Sequence, residues 1–354
     1  MSGEGYGYFG GVRTPDTAES SAADTLEASA VTQAARRIAG RVNRTPVVTN
    51  ATLDEIAGGR VFVKVEPLQR SGSFKARGAF NKLLQLSQSQ RERGVVAYSS
   101  GNHGAAVALA ASDLEIPAVI VVPKTAPVLK LEQIRAVGGE LVWYDPATED
   151  RAAVAAELAE RRGLTLVPPY DDFAVMAGQG TLALELIEDV GDLDVLLVPV
   201  GGGGLIAGTG TIARALCPRV RIFGVEPAVA NDHQRSLASG HRVVLDAPPD
   251  TIADGLRTLT PGQLTLPLNR ELLEGVITVT DEEIIEAMQF CFERLKVVVE
   301  PSGAVAIAAI LCGRVQAPAA RIGVVLSGGN VDASRFAALI EAARPARLPF
   351  VGQR

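Results

Sequence analysis

The sequence predicts a two-domain α/β protein, each domain an open, mostly parallel sheet flanked by helices. Three observations carry this. Short apolar runs, typical of strands covered on both faces, alternate with longer amphipathic stretches. Between residues 94 and 170 the alternation is compact, β-α-β-α-β-α-β, which implies parallel strands with crossover helices and a small domain inserted in a larger one. Glycine-rich stretches at 101, 201 and 328 each follow such a run, at the carboxyl end of a strand, where open α/β sheets gather ligands.

The elements follow in order. Residues 26–42 read as a helix through Leu26, Val31, Ala34, Ile38 and Val42, before Thr45-Pro46 interrupts it. Arg60–Glu66 alternates as a strand with Val61, Val63 and Val65 on one face, and Ala76–Leu86 reads as a helix. The inserted unit takes strands at Gly94–Ser99, Ala118–Val122, Glu140–Tyr144 and Thr165–Val167. Its helices are His103–Ser112, Val128–Val137 and Glu149–Arg162. The larger unit resumes with a helix at Ala174–Asp189, a buried strand at Val195–Val200, a helix at Leu205–Leu216 and a strand at Arg221–Val225. Residues 240–280 are proline-rich and read as irregular. Helices at Asp281–Leu295 and Ser302–Cys312, a strand at Ile322–Leu326 and a helix at Ala333–Ala343 complete the pattern. The domains expected are therefore 26–93 with 171–345, and 94–170 between them. A flexible arm (1–25) and a short tail (346–354) flank them.

Composition narrows the function. With 354 residues, 47% of them hydrophobic, the chain can bury a sizeable core. Its net charge is −6, with no basic stripe carrying interleaved aromatics, which argues against nucleic acid as the partner. No apolar run is long enough to span a bilayer, and no basic-then-apolar leader opens the chain, so no membrane partner and a cytoplasmic location are expected. Cys217, Cys291 and Cys312 show no C-x-x-C spacing and sit in apolar stretches, so buried free thiols are expected.

Four stretches carry candidate chemistry. In Ser71-Gly72-Ser73-Phe74-Lys75 a lysine stands at a helix start. It is either a solvated surface lysine, or an amine set among free N–H groups that favour an anion and able, once neutral, to attack a carbonyl. Gly201-Gly202-Gly203-Gly204 lies between a strand and a helix, where bare main chain and a helix N-terminus can wrap a phosphate. It is not a Walker loop, since no Gly-Lys-Ser/Thr follows; Glu226 has a spacing that keeps a nucleotide reading open. Ser99-Ser100-Gly101-Asn102-His103-Gly104 offers hydroxyls, an amide and free N–H groups that suit a carboxylate, or else only caps a helix. Ser327-Gly328-Gly329-Asn330 follows the last strand.

Together and in this order, Ser71–Ala79, Ser99–Gly104, Gly201–Leu205 and Ser327–Asn330 closely resemble the pyridoxal-phosphate enzymes of the tryptophan-synthase-β fold type, fold type II. Within them the chain is most similar to the serine/threonine dehydratases and the eukaryotic-type serine racemases, over about residues 28–340. The resemblance implies that Lys75 holds pyridoxal 5'-phosphate as a Schiff base and moves protons at the substrate Cα. Phe74 would pack beside the ring, Asn102 would hydrogen-bond its phenolic oxygen, and Gly201, Gly202, Gly203, Gly204 and Leu205 would bind its phosphate. Ser327 would face the pyridine nitrogen, and Ser99, Ser100, Gly101, Asn102 and His103 would cradle the substrate. A hydroxyl at the ring nitrogen makes a weaker electron sink than an aspartate would, which favours prompt loss of a β-leaving group.

Ser100 bears on the reaction. Threonine dehydratases commonly carry alanine here and serine racemases serine, and racemisation needs a second acid/base opposite the lysine; otherwise Ser100 caps a helix. Glu226, the Ala230 carbonyl and Asp232 match the divalent-cation pattern of the racemases, so Mg²⁺, Mn²⁺ or Ca²⁺ is expected there. Glu300 is expected near the cofactor or at a helix start, and Arg257 either meets a second substrate carboxylate or lies on the surface. The resemblance thus implies an ammonia-lyase removing the β-hydroxyl and amino group of serine, threonine or 3-hydroxyaspartate, or a racemase with dehydratase side activity. It also implies a homodimer. A β-replacement enzyme and a binding protein for a nucleotide or amino acid stand as alternatives.

Overall fold

The computed structural model describes residues 25–126 and 128–342. In chain order α1 (Ala28–Ile38), β1 (Val47–Val48), α2 (Ala51–Ala57), β2 (Arg60–Val65), α3 (Lys75–Leu83) and α4 (Gln88–Arg93) come first. Next are β3 (Val95–Tyr98), α5 (Asn102–Asp113), β4 (Ala118–Pro123), α6 (Val128–Ala136), β5 (Glu140–Tyr144), α7 (Arg151–Arg162) and β6 (Thr165–Leu166). α8 (Phe173–Val190), β7 (Val195–Pro199), α9 (Gly204–Leu216), β8 (Arg221–Pro227), α10 (Asp232–Ser239) and α11 (Thr265–Leu272) follow. Last are β9 (Gly275–Val279), α12 (Asp281–Phe290), α13 (Pro301–Leu311), β10 (Arg321–Leu326) and α14 (Ala333–Ala342).

Among the described residues the strands form two sheets, one in each of two domains. The larger has the order β1-β2-β10-β7-β8-β9 and the smaller β5-β4-β3-β6. Every pair is parallel except β1 with β2. Strands such as β7, Val-Leu-Leu-Val-Pro, are buried along their whole length because helices cover both faces. Parallel register brings strand ends to one edge: Leu326 of β10 pairs with Val65 of β2, so Ser327 emerges beside the turn that leads to Lys75.

A buried ionic cluster fixes α3. The Arg77 guanidinium donates to both oxygens of Glu66 (2.8 and 2.9 Å) and to both of Glu185 (2.7 and 2.8 Å). Lys64 donates to Glu185 at 2.7 Å, and the Thr45 hydroxyl to Glu66 at 2.6 Å. Bidentate pairing of this kind satisfies a buried charge that would otherwise be costly. It ties α3 to β2 and α8, two residues beyond Lys75.

The fold differs from the sequence reading in several places. The opening helix stops at Ile38, ahead of Gly40 at φ +75°. Residues 240–280 are not wholly irregular, since α11 and β9 lie there. The helix read as Asp281–Leu295 ends at Phe290 in a π turn over Cys291–Leu295, which Lys296 closes in the left-handed region at φ +59°. Cys217 and Cys291 are buried, but Cys312 is partly exposed at the end of α13. The arm expected at 1–25 falls, but for its last residue, outside the described residues, as does the tail at 346–354.

Candidate active site

A cavity of 340 Å³ lies between the two domains. It is lined by Phe74 and Lys75, by Ser99–His103, by Gly201–Leu205 and by Ser327, so the four stretches singled out in the sequence converge on it. Each reaches it from a strand end or a helix start.

Lys75 is the first residue of α3. The turn before it is stitched to the end of β10: Phe74 N–H donates to the Ser327 carbonyl at 3.0 Å and Gly329 N–H to Gly72 at 2.9 Å, with a bridge between Ser73 and Gly328. Asn330 donates to the Ser71 carbonyl and to the Asn102 side chain, both at 2.8 Å. The Lys75 amine donates to the Pro169 carbonyl at 2.6 Å and stands 5.0 Å from the centre of the Phe74 ring. Lys75 keeps some surface on the cavity while its amine lies deep. Burial pushes that amine down to about 8, and the Arg151 charge pushes the same way.

Asn102 opens α5 and donates to Glu300 at 2.6 Å. His103 is buried; its Nε2 meets the Val167 carbonyl at 2.8 Å, and burial, aided by Lys75, pushes the imidazole down to about 3. It is therefore a neutral structural donor near neutral pH. The Ser99 hydroxyl accepts from Gly101 N–H at 3.2 Å. No side chain caps α5, so the capping role considered for Ser100 and Asn102 is not what holds this helix start. Ser100 lines the cavity, as does Ser327, whose hydroxyl lies 3.5 Å from the Ser302 carbonyl.

The tetraglycine turn joins β7 to α9, which also lacks a side-chain cap. Gly203 has φ +95°, a conformation that favours glycine. A Cβ on Gly202 would strike the Tyr170 ring, and one on Gly204 would come within 2.7 Å of the Tyr170 carbonyl. The turn must stay bare, and its main chain is what it offers a ligand.

The expected cation site is corrected. Among the described residues no three His, Cys, Asp or Glu side chains cluster so as to hold a metal ion. Glu226, Ala230 and Asp232 are buried and do not line the cavity. Glu226 accepts from Gln234 N–H at 2.9 Å and Asp232 lies 3.4 Å from the Thr258 hydroxyl. Burial drives Glu226 well above the carboxylate range and Asp232 up to about 7, and among the described residues no third His, Cys, Asp or Glu side chain joins them to form a cluster that could hold a metal ion.

The sequence reading missed Tyr98, Arg151, Tyr170 and Ser302, all of which line the cavity. Tyr98 ends β3 and Tyr170 follows β6, so the strand-end rule that found the glycines marks both. Arg151 opens α7 with no local signal. Glu300 and Arg257 do line the cavity. Arg257 spends Nε (2.8 Å) and Nη2 on the Thr251 carbonyl.

Comparison with known proteins agrees with this geometry. Residues 38–328 match the family described as pyridoxal-phosphate dependent enzyme. An L-threo-3-hydroxyaspartate ammonia-lyase of Pseudomonas is 48% identical over 88% of this chain and 97% of its own. A serine racemase of Schizosaccharomyces pombe is 45% identical over 87% of this chain and 95% of its own. The structure of maize serine racemase superposes with a TM-score of 0.85 at 42% identity, covering 90% of this chain and 97% of its own. With two mostly parallel sheets meeting at a lysine and a bare glycine turn, and with likeness along most of its length, the chain belongs to the pyridoxal-phosphate-dependent enzymes of fold type II.

Proposed function

We propose that this chain is an ammonia-lyase that removes the β-hydroxyl and amino group of a small β-hydroxy amino acid, giving a 2-oxo acid and ammonia. The observation that carries the reading is the Lys75 amine, lowered to about 8 and facing the same cavity as the tetraglycine turn. Two features support pyridoxal phosphate as the occupant. The uncapped start of α9 and the bare turn suit a phosphate dianion. A lysine that is partly neutral near pH 7 suits an aldehyde.

When bound, the cofactor supplies an electron sink for negative charge at the substrate Cα. The chain's own residues do the rest. Lys75 would carry the cofactor and, as a free amine, would take the Cα proton. Phe74 would pack beside the ring, Asn102, steadied by Glu300 and Asn330, would meet its oxygen, and Ser327 would face its nitrogen. The main chain of Gly201–Leu205 would hold the phosphate. Ser99, Gly101, Asn102 and, through its main chain, His103 would hold the substrate carboxylate at the uncapped start of α5. Arg151 and Arg257 are two cations that line the cavity, and they favour a substrate with a second carboxylate. With the Pseudomonas relative, this makes 3-hydroxyaspartate the best-supported substrate ahead of serine and threonine.

One observation favours a second reading, amino-acid racemisation. Ser100 lines the cavity and caps no helix, which suits an acid/base that returns the proton from the face opposite Lys75. A panel of serine, threonine and 3-hydroxyaspartate enantiomers, assayed for both 2-oxo acid and inverted amino acid, separates the two. The lyase reading is lost if no substrate yields oxo acid. A homodimer and the domain limits 26–93 with 171–345, and 94–170, belong to this proposal; light scattering and limited proteolysis test them.

A further inference from the structure

Behind the tetraglycine turn, on the side away from the cavity, three polar side chains meet. Thr265 and Asn269 lie one turn apart on α11 and His233 lies near the start of α10; all three are fully buried. None of them lines the cavity. The Thr265 hydroxyl donates to the Gly202 carbonyl at 2.6 Å, and Gly262 N–H reaches the same oxygen at 3.2 Å. The Asn269 amide donates to the Gly203 carbonyl at 3.3 Å and lies 3.1 Å from His233 Nε2. A Cβ on Gly203 would stand 2.6 Å from Asn269, 2.7 Å from His233 and 2.8 Å from Thr265, so the three close around that one Cα. Asp171, next to Tyr170 on the cavity wall, anchors the bracket by accepting N–H bonds from Gln263 and Leu264 at 2.9 Å and Thr265 at 3.2 Å.

The peptide unit converts this into an orientation. No peptide bond here is cis, and in a planar trans unit the C=O and the next N–H point in opposite directions. Holding the Gly202 carbonyl on Thr265 turns the Gly203 N–H the other way. The Gly203 carbonyl is held by Ala207 N–H of α9 at 3.0 Å and by Asn269 at 3.3 Å, which does the same for Gly204 N–H. The other way is the cavity, which Gly201–Leu205 line. Four glycines would otherwise sample many conformations, each losing N–H convergence.

We propose that Thr265 and Asn269, with His233 set against the Asn269 amide, are positioning residues for the cofactor phosphate: Thr265 draws the Gly202 carbonyl backward, Asn269 joins Ala207 N–H in holding the Gly203 carbonyl, and the following N–H groups are so aimed into the cavity. This rests on the reading that the tetraglycine turn holds that phosphate. The three side chains line no part of the cavity and reach it through the turn, so their loss weakens whatever the phosphate contributes and leaves the contacts to ring and aldehyde alone.

The test titrates apoenzyme with pyridoxal phosphate and with pyridoxal, which has the same ring and aldehyde but no phosphate. Thr265→Val removes the donor and keeps the shape; Thr265→Ser restores it. We expect Thr265→Val to raise the Kd for pyridoxal phosphate ~5–10-fold, the scale of one neutral hydrogen bond, with pyridoxal unchanged and Thr265→Ser close to the parent. Asn269→Ser, which spares the helix start, gives the same comparison if Thr265→Val does not fold. Equal weakening of both ligands, or of neither, overturns the positioning role. A parent enzyme that binds the two ligands equally overturns the phosphate reading itself, and the inference with it.

Discussion

The lowered Lys75 amine makes a quantitative prediction about how the apoenzyme takes up its cofactor. An ordinary lysine at 10.5 is neutral in about 0.03% of molecules at pH 7, whereas one at about 8 is neutral in about 10%, a gain of roughly 300-fold in reactive amine. Only the neutral amine attacks an aldehyde. Stopped-flow mixing of apoenzyme with pyridoxal phosphate, read at the band expected near roughly 410 nm and trapped with borohydride, measures the capture rate. The rate should rise about tenfold per pH unit up to about 8 and then level off. Arg151→Gln removes the smaller of the two causes, so the break should move up yet stay below 10.5, because burial remains. The same shift acts on folding. Between about 8 and 10.5 the unfolded chain holds a proton that the folded one lacks, so apoenzyme stability rises with pH across that window. A capture rate that climbs log-linearly through pH 10 would refute the argument, because the amine would then be an ordinary surface lysine.

Three further outcomes follow from the same geometry. Lys75→Ala should abolish turnover and covalent capture while far-ultraviolet circular dichroism stays that of the parent; retained turnover removes Lys75 from the chemistry. Ser100→Ala should lose inversion of the substrate enantiomer by at least tenfold while 2-oxo acid formation persists, and equal loss of both would make Ser100 a structural residue. Arg77→Met should cost roughly 3–5 kcal/mol in chemical denaturation, since it leaves Glu66 buried without its cation and Glu185 with Lys64 alone; a change under about 1 kcal/mol would mean that Lys64 alone neutralises the cluster.

Much of the fold was legible because the parallel strands carry their signal in themselves. β7, β8 and β10 are apolar runs, and their carboxyl ends name the places where ligands gather. Elements with a weaker apolar signature were lost. β9 is a half-buried edge strand, and β1 is only two residues long. α11 hid behind Pro267, which reads as a breaker. It stands in the first helical turn, where its missing N–H leaves no bond unmade. The end of α12 was misplaced because a π turn keeps the helical pattern of apolar positions while changing the backbone hydrogen bonding.

The candidate site divides along the same line. Lys75, Asn102, Gly201–Leu205 and Ser327 reach the cavity from chain segments whose glycines and turn residues are visible locally. What holds those segments in place is not local. Lys75 meets a carbonyl 94 residues away, Asn102 a carboxylate 198 away, and the Gly202 carbonyl a hydroxyl 63 away. Spacing along the chain records none of these partners. The cation expectation failed for the converse reason. Glu226 and Asp232 are near one another in sequence, but a ligand set is decided by burial and by what converges from elsewhere. Here both carboxyls are buried, and among the described residues no third His, Cys, Asp or Glu side chain arrives to form a cluster that could hold a metal ion. Local sequence therefore identifies the groups that face a ligand, while the charge state and aim of those groups are set by distant residues that only the fold brings beside them.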